Sequence, residues 1–240
     1  MTVENLSNRD KKHLWHPLTQ HKLGKPQLPI VKAKGAVLFD EDGNEYIDAI
    51  ASWYTVMYGH ANEQIVSAIT QQMQTLDFVM FSGLTHEPAI ELSEKLMEIL
   101  PNNQAKIFFN DNGSTAVEAA IKMALQFFHN KREKRDTLIA FEDGFHGDTF
   151  GAMSASGLSS YNGPFEDFLL KVERIPVPTE DNLDEIKQML SQILKNNKCA
   201  AFVFEPLVQG AAGMKFHSAK GLNELIGICQ EEDIVCIADE

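Results

Sequence analysis

The chain has 240 residues, 44% of them apolar, and its 21 basic and 34 acidic side chains leave a formal net charge of −13. That is enough chain for one large domain or two small ones, and the acidic balance argues against nucleic acid or an anionic membrane as the main partner. No apolar run reaches the length of a membrane span, and the polar residues 1–10 lack the apolar core of a secretory signal. Cys199, Cys229 and Cys236 are odd in number and widely spaced. They read as reduced core thiols of a cytoplasmic protein, not as a disulfide framework or a zinc site.

In chain order, residues 26–50 read as β structure. Two runs, 36–40 and 45–49, flank Asp42, Gly43 and Asn44, a favourable hairpin turn. Asn62 is placed to cap a helix reaching about Leu76, with Ile65, Ile69, Met73 and Leu76 on one side. A second helix runs from after Thr85 to Leu100, with Pro88 in its first turn. From there the pattern alternates. Apolar runs at 107–109, 138–141, 200–204 and 234–238 read as strands buried on both faces, and helical stretches at 114–128, 183–195 and 219–231 lie between them. This is the signature of the α/β class: βαβ units building a largely parallel sheet with helices on both sides. In such sheets ligands sit beyond the carboxyl ends of the strands, where residues 110–114, 142–148, 205–210 and 239–240 fall.

Those strand ends carry the chemistry. Asn110, Asp111, Asn112, Gly113, Ser114 and Thr115 form a polar turn between an apolar run and a helix whose apolar face is Val117, Ile121, Ala124, Leu125 and Phe128. Free backbone N–H groups and the positive helix end suit a phosphate there, and an ordinary capped helix fits the same residues equally well. The Gly-rich fingerprints of nucleotide loops are missing, which disfavours a dinucleotide-binding domain. At the next strand end, Phe145 or His146 could cover a planar ring; at the third, Glu205 and Gln209 could contact a ligand. Asp239 ends an apolar strand, and a carboxylate so placed can hold a proton on a ring nitrogen. Phosphate turn, ring cover and ring-nitrogen partner together suit pyridoxal 5′-phosphate.

The order of motifs resembles the class III aminotransferases of fold type I, pyridoxal-phosphate enzymes. The resemblance is carried by Leu14-Trp15-His16-Pro17, by Trp53 and Tyr54 with Gly59-His60, and by the segment from Met80 to Glu91 that contains Thr85-His86-Glu87-Pro88-Ala89. Asp111 to Ser114, His146 to Thr149 with Gly151 to Ser154, Glu205 to Gly210, and Ala238-Asp239-Glu240 complete it. The resemblance implies a large α/β/α domain at 61–240, incomplete at its C-terminal end, and a β-containing segment of a small domain at 1–60. It implies amino transfer in biotin synthesis, from S-adenosylmethionine to 8-amino-7-oxononanoate, by a homodimer. It assigns Asn112, Gly113, Ser114, Phe145, Glu205 and Asp239 to the cofactor, and Leu18, Trp53, Tyr54 and again Phe145 to substrate. Phe145 stands where the family commonly has Tyr, which keeps the ring face and loses the hydroxyl. Leu18 replaces an aromatic common in relatives, which leaves lysine open as an alternative amino donor, as well as another class III activity.

The resemblance also places the lysine that forms the Schiff base beyond Glu240, so no catalytic residue is expected within the chain. A contrasting expectation is an inert fragment that binds only a phosphate or a partner subunit. His13, His16 and His21 lie close together, but their spacing fits no single helix face and no Cys or acidic ligand joins them, so no metal site is expected.

Overall fold

The computed structural model describes residues 5–157 and 162–240, which fall into two compact units, Met1–Ala105 and Lys106–Glu240. The first unit opens with helix α1 (Leu6–His13), followed by strands β1 (Ile30–Lys34), β2 (Val37–Asp40) and β3 (Glu45–Ile47) in an antiparallel meander. The expected hairpin is β2–β3, in register from Val37 opposite Ile47 to Phe39 opposite Glu45. Asp40 organises its turn. The buried carboxylate accepts from the N–H of Asp42 (3.0 Å) and Asn44 (2.8 Å), the Asn44 amide (2.9 Å) and the Tyr46 hydroxyl (2.9 Å), while Gly43 takes a φ of 83°. After α2 (Ala51–Tyr54), an unusual turn described below, come α3 (Glu63–Thr75) and α4 (Glu87–Ile99). Asn62 caps α3 by accepting from the N–H of Gln64 and Ile65, and His86 Nδ1 caps α4 at Ala89, with Pro88 in the first turn. This compact unit takes in more chain than the 1–60 segment expected from the sequence. The side chains on the apolar side of α3, Ile65, Ile69, Met73 and Leu76, are exposed.

The second unit contains α5 (Gly113–Asn130), β4 (Thr137–Phe141), α6 (Phe150–Ala155), a 3₁₀ turn (Gly163–Phe168), β5 (Lys171–Ile175), α7 (Leu183–Asn196) and β6 (Cys199–Phe204). A short β7–β8 hairpin (Val208–Gln209, Lys215–Phe216), α8 (Ala219–Glu231) and β9 (Val235–Ala238) complete it. Its sheet has the order β5-β4-β6-β9, and every neighbouring pair is parallel. Strand alternation sorts the side chains onto two faces. Ile139, Phe141, Phe202 and Phe204 pack with Ile186 and Leu190 of α7 and with Leu222, Leu225 and Cys229 of α8. Leu138, Ala140, Ala201 and Val203 face the other way, toward Val117, Ile121 and Ala124 of α5 and Ala152 and Ala155 of α6. The result is the three-layer α/β/α arrangement expected of the class.

Three details differ from the sequence reading. Residues 107–109 are irregular instead of forming a strand, because a strand needs a hydrogen-bonding neighbour and neither edge of the sheet, β5 or β9, pairs with them. β9 is half-buried, since one side of an edge strand has no neighbour to cover it. β5 was not anticipated. Its charged Lys171, Glu173 and Arg174 hide it from a search for apolar runs, yet it pairs with β4 along its whole length.

Phe202 is fully buried and meets Phe141 edge-to-face at 5.2 Å and Phe204 at 4.8 Å. Phe202→Ala is expected to cost about 3–5 kcal/mol through lost burial and a residual cavity. Urea denaturation followed by far-ultraviolet circular dichroism would report it as a lowered midpoint, and an unchanged midpoint would contradict this account of the core.

Candidate active site

The segments that leave β4, β6 and β9 lie at one end of the parallel sheet, and hydrogen bonds tie them together there. Helix α5 starts at Gly113 with Asn112 as its cap. The Asn112 side chain accepts from the N–H of Thr115 (3.0 Å), and the Thr115 hydroxyl lies 3.3 Å from the Asn112 N–H, a reciprocal capping box. Among the described residues no acceptor meets the N–H of Gly113 or Ser114. A Cβ built on Gly113 meets only open space. Two free donors at the positive end of an 18-residue helix make an anion seat.

The loop after β4 lies against this seat. Ser114 Oγ accepts from the N–H of Asp148 (3.2 Å), and the Thr149 hydroxyl oxygen lies 3.3 Å from the Ser114 carbonyl oxygen. Gly147, with φ of 123°, comes so close that a Cβ there would fall 2.1 Å from Ser114 Oγ. Glu118 fixes the far side of the loop by accepting from the Thr149 hydroxyl (2.6 Å) and the N–H of Gly151 (2.7 Å), at the start of α6.

Asp239 and Glu205 arrive from the other strand ends. The N–H of Asp239 donates to the carbonyl of Phe204, continuing the β6–β9 ladder by one residue (2.9 Å). Asp239 Oδ2 lies 2.8 Å from His146 Nδ1. The structure therefore separates the two candidates for ring cover: His146 is buried and engaged with Asp239, whereas Phe145 is half-exposed and presents its ring. Glu205 turns its oxygens to the backbone, accepting from the N–H of Phe145 (3.1 Å) and Gly210 (2.8 Å). Gln209 is fully buried and donates to the carbonyl of Glu142 (2.6 Å). Asn112, Gly113, Ser114, Phe145, Glu205 and Asp239 thus share one end of the sheet. His146 and Gln209 join them as supports that the sequence named only as contacts. A separate cavity of about 290 Å³, lined by Arg135, Cys199 and Ile234 among others, lies at the opposite, amino ends of β6 and β9.

The residues expected to meet substrate, Leu18, Trp53 and Tyr54, are in the first unit and are all exposed. Their backbone is unusual. Leu18 has φ of 54°, and Ala51, Ser52, Trp53 and Tyr54 have φ of 47°, 47°, 62° and 64°, so α2 is a left-handed helical turn made without glycine. That conformation costs roughly 1–2 kcal/mol per residue, and it persists only where the surroundings hold it. Here Asp48 does so. Its carboxylate accepts from the Ser52 N–H (2.9 Å), the Ser52 hydroxyl (2.6 Å) and His60 Nε2 (2.8 Å). The Ser52 hydroxyl and N–H, with a further contribution from His60, hold the Asp48 carboxyl well below the usual carboxylate range. Nothing in the sequence announced this clamp, because the run 45–49 reads as the end of a strand.

A family model, aminotransferase class III, matches residues 19–240. The chain belongs to the class III aminotransferases. It is 45% identical to the adenosylmethionine-8-amino-7-oxononanoate aminotransferase of Synechococcus elongatus over 95% of this chain and 56% of that protein. It is 35% identical to the enzyme of the same name from Staphylococcus aureus over 99% and 56%. Among solved structures it resembles the adenosylmethionine-8-amino-7-oxononanoate aminotransferase of Methanocaldococcus jannaschii, with a TM-score of 0.91 and 33% identity, covering 98% of this chain and 54% of that one. It also resembles an amine transaminase from an uncultivated Pseudomonas species in its pyridoxal-phosphate-bound form (TM-score 0.85, 26% identity), covering 95% of this chain and 55% of that one. The class III aminotransferase chain spans just over half the length of these relatives. The family is pyridoxal-phosphate dependent, and the free N–H groups of Gly113 and Ser114, the exposed Phe145 ring and the anchored Asp239 fit that cofactor.

Two outcomes follow from this geometry. Gly147→Ala is expected to push the loop off Ser114 and weaken pyridoxal phosphate binding by about tenfold or more, a loss of ~1.4 kcal/mol; a cofactor titration followed by absorbance would show it, and wild-type affinity would refute the close packing. The Asp48 carboxyl is lowered on folding, so its stabilisation is complete above its unfolded value of about 3.9. That stabilisation is lost as pH falls through the folded value. Thermal melts between pH 5 and the acid limit should therefore be less pH-sensitive in Asp48→Asn than in the wild type, and parallel curves would remove Asp48 from this role.

Proposed function

We propose that the complete protein is an aminotransferase of biotin synthesis that moves an amino group from S-adenosylmethionine to 8-amino-7-oxononanoate, giving 7,8-diaminononanoate. The support is the match along almost the whole chain to enzymes of that name, from a bacterium at 45% identity to a solved structure at a TM-score of 0.91. In this reading residues 1–60 belong to the small domain and 61–240 to the cofactor-binding domain. The lysine that carries the cofactor lies beyond Glu240, and the working form is a cytoplasmic homodimer. Three cysteines free of disulfides suit a reducing compartment. Lysine as amino donor is a second reading, motivated by Leu18 standing where relatives often carry an aromatic.

Each residue has a physical task. Gly113 and Ser114 bind the cofactor phosphate through their free N–H groups, and the α5 dipole adds to the attraction. Phe145 covers the ring with its face, and Glu205 steadies that residue by holding its backbone N–H. Asp239 keeps a proton on the ring nitrogen, and its own orientation is set by the 2.8 Å contact to buried His146. The cofactor, when bound, supplies the electron sink that amino-group transfer requires. Trp53 and Tyr54 offer flat apolar faces to the substrate chain, and Leu18 contributes a third apolar contact.

The observation that carries the proposal is Asp239 at the end of β9, anchored and at the same sheet end as a free helix N-terminus. In the complete enzyme, Asp239→Asn is expected to leave the fold intact and to reduce turnover by about a hundredfold or more, on the order of 3 kcal/mol. Formation of 7,8-diaminononanoate would be measured with each donor in turn. Near-normal turnover in the variant would refute the role of Asp239. Product formed with lysine and not with S-adenosylmethionine would select the second donor.

A further inference from the structure

The left-handed turn at Ala51–Tyr54 is the most strained stretch among the described residues, and it carries two exposed aromatic side chains. Four consecutive non-glycine residues with positive φ do not arise from local preference. The turn has backbone hydrogen bonds of its own, from Tyr54 N–H to the Ile50 carbonyl (2.9 Å) and from Val56 N–H to the Ala51 carbonyl (3.0 Å). Asp48 ties it down from outside, its carboxylate accepting from both the N–H (2.9 Å) and the hydroxyl (2.6 Å) of Ser52.

Both halves of that clamp are fixed by one hairpin. The Asp48 N–H donates to the carbonyl of Ala36 (2.9 Å), and His60 exchanges backbone hydrogen bonds with Gly35 (2.8 and 3.0 Å). Gly35 and Ala36 are the two residues joining β1 to β2. The backbones come within van der Waals range: a Cβ on Gly59 would sit 3.2 Å from the Gly35 Cα, and Gly59 has φ of 85°. This pairing brings the His60 ring to Asp48. An ionised carboxylate accepts and does not donate, so His60 Nε2 carries the hydrogen in the 2.8 Å contact. The carboxylate is almost enclosed, with 6% of the side chain exposed, and receives three donors.

We propose that Asp48 and His60 are positioning residues for the substrate pocket: they hold the left-handed turn and thereby aim Trp53 and Tyr54 at the substrate. This rests on the reading above that Trp53 lines the substrate pocket. A rigid, strained turn gives a flat side chain one orientation without a cost in ordering when substrate binds. Released from the clamp, the turn relaxes to right-handed or extended backbone, and the Trp53 ring is carried elsewhere. The effect belongs to substrate binding and leaves the cofactor site unaltered.

The test is steady-state kinetics of the complete enzyme, with cofactor absorbance recorded for every variant. Trp53→Ala sets the reference and should raise the KM for the amino acceptor. Asp48→Ala should raise the same KM by about tenfold, the size expected from losing hydrogen bonds to a charged group, and reduce kcat far less. In the Trp53→Ala background, Asp48→Ala should add little more, because both changes remove one contact. His60→Gln, which keeps an N–H donor, should recover most of the loss caused by His60→Ala. Ser52→Ala, a milder change that removes the hydroxyl contact to Asp48 and keeps the backbone N–H contact, serves if Asp48→Ala fails to fold and should raise the acceptor KM in the same direction. If Trp53→Ala leaves KM unchanged, the pocket reading fails and takes the proposal with it. If Trp53→Ala raises KM while the Asp48 and Ser52 variants do not, or if the Asp48 and Trp53 effects multiply, the pocket reading stands and the clamp is overturned.

Discussion

Parallel pairing between β4 and β6 is the constraint on which the second unit depends. Both strands are buried along their entire length, so each must be apolar on both faces and each needs a helix layer on either side. Parallel neighbours cannot be joined by a tight turn, which forces every connection to cross the sheet and every loop with freedom to carry polar groups to one of its two ends. The carboxyl ends receive the loops that begin with Glu142, Glu205 and Asp239. Polar side chains placed where apolar strands stop are costly unless partnered, and here they partner one another: His146 with Asp239, Glu205 with the backbone of Phe145, and Gln209 with the carbonyl of Glu142.

The first unit solves a different problem with similar means. Its three short strands and three capped helices, α1 by Asn5, α3 by Asn62 and α4 by His86, leave many apolar side chains exposed, and its order is concentrated in carboxylates that gather backbone donors. Asp40 ties the β2–β3 turn, and Asp48 ties α2. Both carboxyls are held below the usual carboxylate range, Asp40 chiefly by the Asn44 side chain and Asp48 chiefly by the Ser52 hydroxyl. In each case one acidic residue fixes backbone that has no regular ladder of its own.

Much of this was legible in the sequence because the signals were local. Asn62 sits where a helix cap belongs, Pro88 marks the first turn of α4, Asp42 to Asn44 is turn chemistry, and the apolar runs at β4 and β6 are long enough to mean burial on both faces. The free helix end at Gly113 and Ser114 was legible for the same reason, a polar turn between an apolar run and a helix. What escaped was relational. β5 hides behind its charges because an edge strand needs no apolar run on both faces. The run 107–109 has strand composition without a pairing neighbour, and composition says nothing about neighbours. The pairing of His146 with Asp239 and the clamp of Asp48 on Ser52 depend on where distant or oddly folded backbone brings two side chains. Phe145 and His146 look equally suited to cover a ring until burial separates them.

The His146–Asp239 contact joins positions 93 residues apart, and that separation has a consequence for the order in which the protein acquires its features. The anion seat needs only the turn at Asn112 and the helix that follows it, and the contact of Ser114 with Asp148 closes a much shorter loop. Closing the longer loop costs more chain entropy, and on a ribosome it must await the emergence of β9. A nascent chain therefore possesses the free helix end at Gly113 and Ser114 well before it possesses the Asp239 carboxylate, which in the proposed function tells a pyridine ring from any other phosphorylated compound. Chemical discrimination is the last property this stretch of polypeptide gains.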